Sequence, residues 1–313
     1  MTLLEQNLPL GLDISDYKIR LVQLKKHGKK IKLASFSEIS VPKNVITDGI
    51  IIQPAKLVEL INQLKSEITG ARLLNNNKVI VGLPEKQSII KITPIDKIDS
   101  EAVEKEMIKH LPFQINEIYY DYQIINNFLS SSAILYFAAC RKNLVTSYLS
   151  VLHQANLVPE VFEIETEAMA RCLFLPTDKF AYIVIDIGLA RSTIFITYQK
   201  IVIFSISFSS IIFENKAYIS ELINHLHEVF EYYHEHLANY FNINAIITCG
   251  TGAHIKNLNE ELQSKFPYSV VAGNPWQNIK NNNDHLINKI KYPYSFATAV
   301  GLALRPALNK NYL

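Results

Sequence analysis

The sequence predicts a two-lobed α/β protein with a small α+β insert in its first lobe. Three observations carry that reading: an internal echo, an alternation of strands and helices, and a stretch between the echoes with a pattern of its own. The echo pairs Gly11–Val22 (GLDISDYKIRLV) with Ile183–Ile196 (IVIDIGLARSTIFI). Each is an apolar strand ending in Asp-Ile, a short polar turn and a second apolar strand. Each therefore reads as a β-hairpin with an acid near its tip. The period is too long for a solenoid repeat and suits two lobes of similar build.

The remaining elements follow in order. Residues 31–41 alternate apolar and polar strongly enough for a third strand. Pro54 to Ile68 is an amphipathic helix, with Leu57, Leu60, Ile61, Leu64 and Ile68 on one face, Pro54 in the first turn and Gly70 as the stop. Lys78 to Leu83 is a strand closed by Pro84. Residues 84–157 read as the insert: a strand from Ser88, a helix from Ser100 to His110, a stop at Leu111-Pro112-Phe113, a hairpin through Asn126 and Ser131, and a helix over 144–155. Ile164 to Phe174 returns the chain to the first lobe, which comprises 1–83 and 158–178. The second lobe, 179–313, holds the second hairpin and a long helix over 217–240. After these come the strand Asn244 to Cys249, the turn Gly250–Ala253, a helix to Phe266 and a last helix from Ser295 to Leu304. Such strand–helix alternation indicates α/β layers.

Composition narrows the function classes. A chain of 313 residues with 49% hydrophobic and 19% charged residues has ample material for real cores. A net charge of +2 predicts no nucleic-acid partner. Cys140, Cys172 and Cys249 are an odd number with no C-x-x-C pair, which fits a reducing compartment. No signal peptide is read in the first residues. Ile201–Phe213 is too short to span a bilayer, and Tyr122–Cys140 is interrupted by Gln123, Asn126, Asn127 and three serines. His225, His227, His234 and His236 on the long helix do not form H-E-x-x-H and read as a polar face.

Three segments converge on one chemistry: the turns at 13–18 and 186–193 and the glycine turn at 250–253. Facing turns in a two-lobed protein hold polyphosphate with backbone N–H groups. Asp13 and Asp186 would hold Mg²⁺ through its retained waters. Lys18 and Arg191 would add positive charge. Ser15, Asp16, Tyr17, Gly188, Ser192 and Thr193 complete the two turns, and Gly250, Thr251, Gly252 and Ala253 would let the backbone pass beneath a nucleoside ring. Asp also starts turns for purely local reasons. The residues alone leave both readings open.

The order hairpin, insert, hairpin, glycine turn resembles the actin/Hsp70-like superfamily, a duplicated ribonuclease H-like fold with phosphate-1, phosphate-2 and adenosine motifs in that sequence. In detail the chain is similar to the type IV pilus assembly family PilM, with the cell-division family FtsA as a cousin. Gly11 to Arg20 follows the family's Gly-x-Asp-Ile-Gly-Ser-Ser-Ser-x-Lys motif in register. Leu111-Pro112-Phe113 and Tyr120-Asp121-Tyr122-Gln123 match its (I/L)PF…DYQ signature. Residues 165–171 and 297–305 look like its two small-residue connecting helices. Ser15 departs from the family glycine, and Asp16, Tyr17 and Lys18 replace small hydroxyl residues. The part of the second lobe around 209–243 is shortened.

The resemblance implies a cytoplasmic scaffold with ATP and Mg²⁺ as cofactors and weak or absent hydrolysis, since no residue is marked to orient the attacking water. It implies attachment at the inner membrane through the N-terminal tail of a PilN-like single-pass protein, gripped in the groove between first lobe and insert. The pilus motor ATPase and a second copy of the chain are the further partners it implies. Pilus assembly, a type II secretion-like platform and DNA uptake remain alternatives, as does an adaptor that has lost nucleotide. An FtsA-like filament would need a basic amphipathic tail, which Arg305–Leu313 does not provide. A sugar-kinase reading would need a general base in the cleft.

Overall fold

The computed structural model describes residues 6–71, 77–125, 133–189, 191–209, 216–279 and 284–308. The first lobe opens with β1 (Leu10–Ile14), β2 (Lys18–His27), β3 (Lys30–Ser40), α1 (Pro54–Ser66) and β4 (Lys78–Leu83). There follow β5 (Ser88–Ile95), α2 (Ser100–Ile108), β6 (Ile118–Ile125), β7 (Ala133–Arg141), α3 (Lys142–Gln154), β8 (Val158–Ile164) and α4 (Glu165–Leu173). The second lobe holds β9 (Ala181–Ile187), β10 (Arg191–Tyr198), β11 (Ile201–Ser209), α5 (Lys216–His236), β12 (Ile243–Cys249), α6 (Leu258–Lys265) and β13 (Ser269–Ala272). Helix α7 (Ala297–Leu304) then runs back to the first lobe.

Sheet topology shows that the sequence echo is a structural duplication. The first sheet runs β3-β2-β1-β4-β8 and the second β11-β10-β9-β12-β13. In each, the first three strands form an antiparallel meander and the last two pair in parallel. Parallel neighbours need a crossover, and α1 and α5 supply it. The turns correspond as well. The Ser15 N–H donates to the Lys18 carbonyl at 2.9 Å, and the Gly188 N–H donates to the Arg191 carbonyl at 3.0 Å. Ser15 thus matches Gly188, and Lys18 matches Arg191.

Alternating burial stacks the layers. One face of the first sheet packs on α1 and α3, where Leu57, Leu60, Ile61 and Leu64 meet Leu12, Leu21, Tyr148 and Leu152. Its other face meets α4 and α7 in a core that extends to Val184, Phe195 and Ile247 of the second sheet. That shared core joins the lobes. The far face of the second sheet packs on α5 and α6. Each large aliphatic side chain buried this way contributes roughly 1.5–3 kcal/mol. The crossing of α4 and α7 needs small residues: a Cβ on Gly301 would stand 1.8 Å from the Ala168 carbonyl oxygen.

Strands β6-β7-β5 form a separate antiparallel sheet covered by α2. Helix α3, expected within the insert, belongs by packing to the first lobe. Its buried face of Leu144, Val145, Tyr148, Val151 and Leu152 completes the α1 core, and the Tyr148 hydroxyl donates to the Gly49 carbonyl at 2.9 Å. The expected hairpin tip at Asn126 and Ser131 lies outside the described residues. The long helix ends at His236, earlier than expected, and its histidines meet aromatic rings: His225 stacks on Phe208 and His236 lies tilted against Tyr232. Among the described residues, no group of three or more His, Cys, Asp or Glu is arranged to hold a metal ion directly.

Candidate functional site

The duplicated hairpins open onto one cleft between the lobes, of about 690 Å³ counting the open solvent at its mouth. From the first hairpin come Asp13, Ser15, Asp16, Tyr17, Lys18 and Arg20. The second supplies Asp186, Gly188, Arg191 and Thr193, and the glycine turn adds Gly250 and Thr251. Three of the expected residues do not line it. Ser192 is fully buried on the opposite face of its strand, where its hydroxyl meets that of Tyr218 at 2.9 Å. Strand alternation explains this, because Thr193 takes the cleft side. Gly252 and Ala253 lie buried inside the one-turn 3-10 helix Thr251–His254, behind the cleft wall.

Sequence reasoning missed six cleft residues: Leu189, Ser295, Ala297 and Thr298, which line its wall, and the charged Arg20 and Glu165. Arg20 stands directly across from Asp13 in the β1–β2 register. It is buried, and it donates to Asp13 at 3.5 Å, to Glu38 at 2.7 Å and to the Thr251 hydroxyl at 3.2 Å. A single guanidinium thereby joins the first lobe to the glycine turn of the second. Counting back across the hairpin from Asp13 would have found it. Glu165, the first residue of α4, also faces the cleft. Nothing in the local sequence marks it, because only the return of β8 to the sheet carries it there.

The charges in this cleft are strained. Burial raises the Asp13 carboxyl above its ordinary value, with Arg20 opposing. Burial pushes Asp186 up to about 6, and the charge of Asp13 adds to the shift. Glu165 is pushed up to about 8, again chiefly by burial, with Arg191 opposing and Asp13 and Asp186 adding. Glu38 goes the other way: burial would raise it, but Arg20 and Lys18 together hold it below its usual range.

Two features fit a nucleotide and its cation. The buried Nη1 of Arg191 has no hydrogen-bond partner among the described residues, while Nη2 stands 3.9 Å from Glu165. An unsatisfied buried guanidinium N–H is costly and calls for an anion. Conversely, the mutual repulsion between Asp13 and Asp186 is what a hydrated divalent ion relieves.

A second concavity lies where the first lobe meets the three-stranded sheet. It is lined by Ile50, Gln87, Arg141, Asn143 and Leu144 and measures about 370 Å³ with its open solvent. No helix among the described residues is long and apolar enough to cross a membrane.

Comparison with known proteins agrees with this architecture. The family described as type IV pilus assembly protein PilM matches residues 11–207. The fold is shared with a structure titled PilM-PilN type IV pilus biogenesis complex, with a TM-score of 0.80 at 19% identity, covering 96% of this chain and 99% of that one. Ethanolamine utilization protein EutJ from Carboxydothermus hydrogenoformans is similar over 97% of this chain and 91% of its own, with a TM-score of 0.53 at 14% identity. MreB5 of Spiroplasma citri bound to ADP is similar over 93% and 94%, with a TM-score of 0.52 at 10% identity. The fold is the actin-like one.

Proposed function

This chain belongs to the type IV pilus assembly family PilM, and from that premise we propose that it is a nucleotide-responsive scaffold of the pilus inner-membrane platform. ATP is its cleft ligand, and the N-terminal tail of a PilN-like membrane protein is its groove ligand. The observation that carries the cleft half is the convergence of both hairpin turns and the Gly250 turn around the unpartnered Arg191 Nη1. Arg191 and the backbone of the Gly188 turn would receive the terminal phosphates, and Thr251 with Gly250 would border the nucleoside. Asp13 and Asp186 would hold Mg²⁺ through its waters, and that ion supplies positive charge to the phosphates.

Hydrolysis is weak in this reading. A carboxyl with its pKa near 8 is largely protonated at neutral pH, so Glu165 is a poor acceptor for a water proton. The groove half rests on shape and place. The cavity lies at the junction of first lobe and insert, with exposed Ile50 and the guanidinium of Arg141 at its walls. The protein reaches the inner membrane through that partner.

Two titrations test the reading. Saturable binding of a fluorescent ATP analogue that needs Mg²⁺ and weakens in Asp186→Ala supports the cleft assignment. A labelled PilN tail peptide should bind with a Kd on the order of micromolar. No nucleotide binding at millimolar analogue would contradict the first half, and no peptide binding would contradict the second.

A further inference from the structure

The cleft and the groove share a wall. Asp16 faces the cleft, but its carboxylate is bonded on the other side to a two-residue hairpin turn. One oxygen accepts from the Asp48 N–H and the other from the Gly49 N–H, both at 2.9 Å. The turn joins the short strands Ile46–Thr47 and Ile50–Ile51, with Asp48 at φ 53° and Gly49 at φ 77°. That is the Asp-Gly chemistry a tight hairpin prefers. The next residue, Ile50, is about half exposed and lines the groove.

Other groups hold the same turn. The Gln87 amide, itself a groove residue, donates to the Asp48 carbonyl at 3.0 Å. Lys86 meets the Asp48 carboxylate at 2.7 Å, and Tyr148 of α3 donates to the Gly49 carbonyl. Of these contacts, Asp16 supplies the pair of charge-assisted bonds to backbone N–H groups. Each of its oxygens accepts one of those bonds.

We propose that Asp16 is a positioning residue for the groove: its carboxylate fixes the Asp48–Gly49 turn, and the fixed turn presents Ile50 and Gln87 to the partner's tail. This rests on the reading of the groove as the tail-binding site. In this reading Asp16 braces the turn from its place at the cleft wall.

The test measures two quantities on the full chain. One is the affinity of a labelled PilN tail peptide. The other is hydrogen exchange at residues 44–53, read against strand β2 as an internal control. For Asp16→Ala the expected result is about tenfold or greater loss of peptide affinity, with exchange accelerated at Asp48 and Gly49 and unchanged in β2. Asp16→Asn keeps one acceptor oxygen and should give an intermediate loss. It also serves if Asp16→Ala does not fold. Wild-type affinity in either variant, with the turn's exchange accelerated, would overturn the proposal while leaving the groove assignment intact. Wild-type protein that fails to bind the peptide would overturn the groove assignment, and this proposal with it.

Discussion

The two hairpins of the duplicated fold have the same register and the same turn bond, yet they use their polar groups differently. In the first, nearly every group is bound to the protein itself. The Ser15 hydroxyl donates to the Lys18 carbonyl, Asp16 holds the Asp48–Gly49 turn, and Lys18 meets Glu38 at 3.0 Å. Arg20 is committed at all three of its nitrogens. In the second, glycine replaces serine at the turn's start, and the residue matching Lys18 is Arg191, whose Nη1 has no partner among the described residues. Ser192 and Thr193 of the second hairpin are bonded to Tyr218 and Ser207, so the contrast lies in that one guanidinium nitrogen. A duplicated architecture can therefore divide labour between its copies, without changing the backbone, by changing what the turn side chains bond to.

Substitutions at the matched turn positions break the comparison most directly. A Cβ on Gly188 would stand 2.5 Å from the Arg191 carbonyl oxygen, a backbone atom that cannot swing away. Gly188→Ala should cost about 2–3 kcal/mol in chemical denaturation and reshape the ligand-facing turn.

The next effect is on pH. Glu165 and Glu167 are raised to about 8 and about 7, both chiefly by burial, from an ordinary value near 4.5. Each binds its proton more tightly folded than unfolded. The stability each contributes is fully present below about pH 4.5 and is lost as pH rises through 7 and 8. Melting temperature should fall between pH 5.5 and pH 8.5, by the equivalent of about 3 kcal/mol for Glu165 and about 2 kcal/mol for Glu167. Glu165→Gln, which cannot deprotonate, should flatten part of that slope.

The smallest effect is expected in the first hairpin. Ser15→Gly removes two local hydroxyl bonds, one donated to the Lys18 carbonyl and a long one accepted from the Lys18 N–H, and should cost only about 1 kcal/mol in the same denaturation assay. A loss as large as that of Gly188→Ala would mean that the two turns are equally constrained and the contrast is false.

Much of the fold was legible in the sequence because its signals are local. Alternation marks β1 to β3, and the face of Leu57, Leu60, Ile61 and Leu64 marks α1. The small residues of 165–171 and 297–304 mark helices that cross at Gly301. Most of the cleft residues were legible too, since turns follow from strand ends. The misses have separate causes. Ser192 and Thr193 both read as turn residues of the cleft, although period-two alternation allows only one of them there. Arg20 pairs directly with Asp13, a placement that follows from the hairpin register rather than from any turn signal. Glu165, the place of α3 and the reach of Asp16 to Asp48 and Gly49 are products of tertiary packing. No spacing in the chain announces a contact between residues 16 and 49.

The central claim is that the second hairpin, through Arg191, reads the nucleotide while the first stays engaged with the protein. Its most direct test is a titration of wild type, Arg191→Ala and Lys18→Ala with a fluorescent ATP analogue in the presence of Mg²⁺. Removing a buried charge-assisted contact to phosphate should weaken binding roughly tenfold to a hundredfold in Arg191→Ala. Lys18→Ala, which loses a partly exposed pair with Glu38, should change it by less than about threefold. Equal losses in the two variants, or an Arg191→Ala protein that binds as tightly as wild type, would contradict the account.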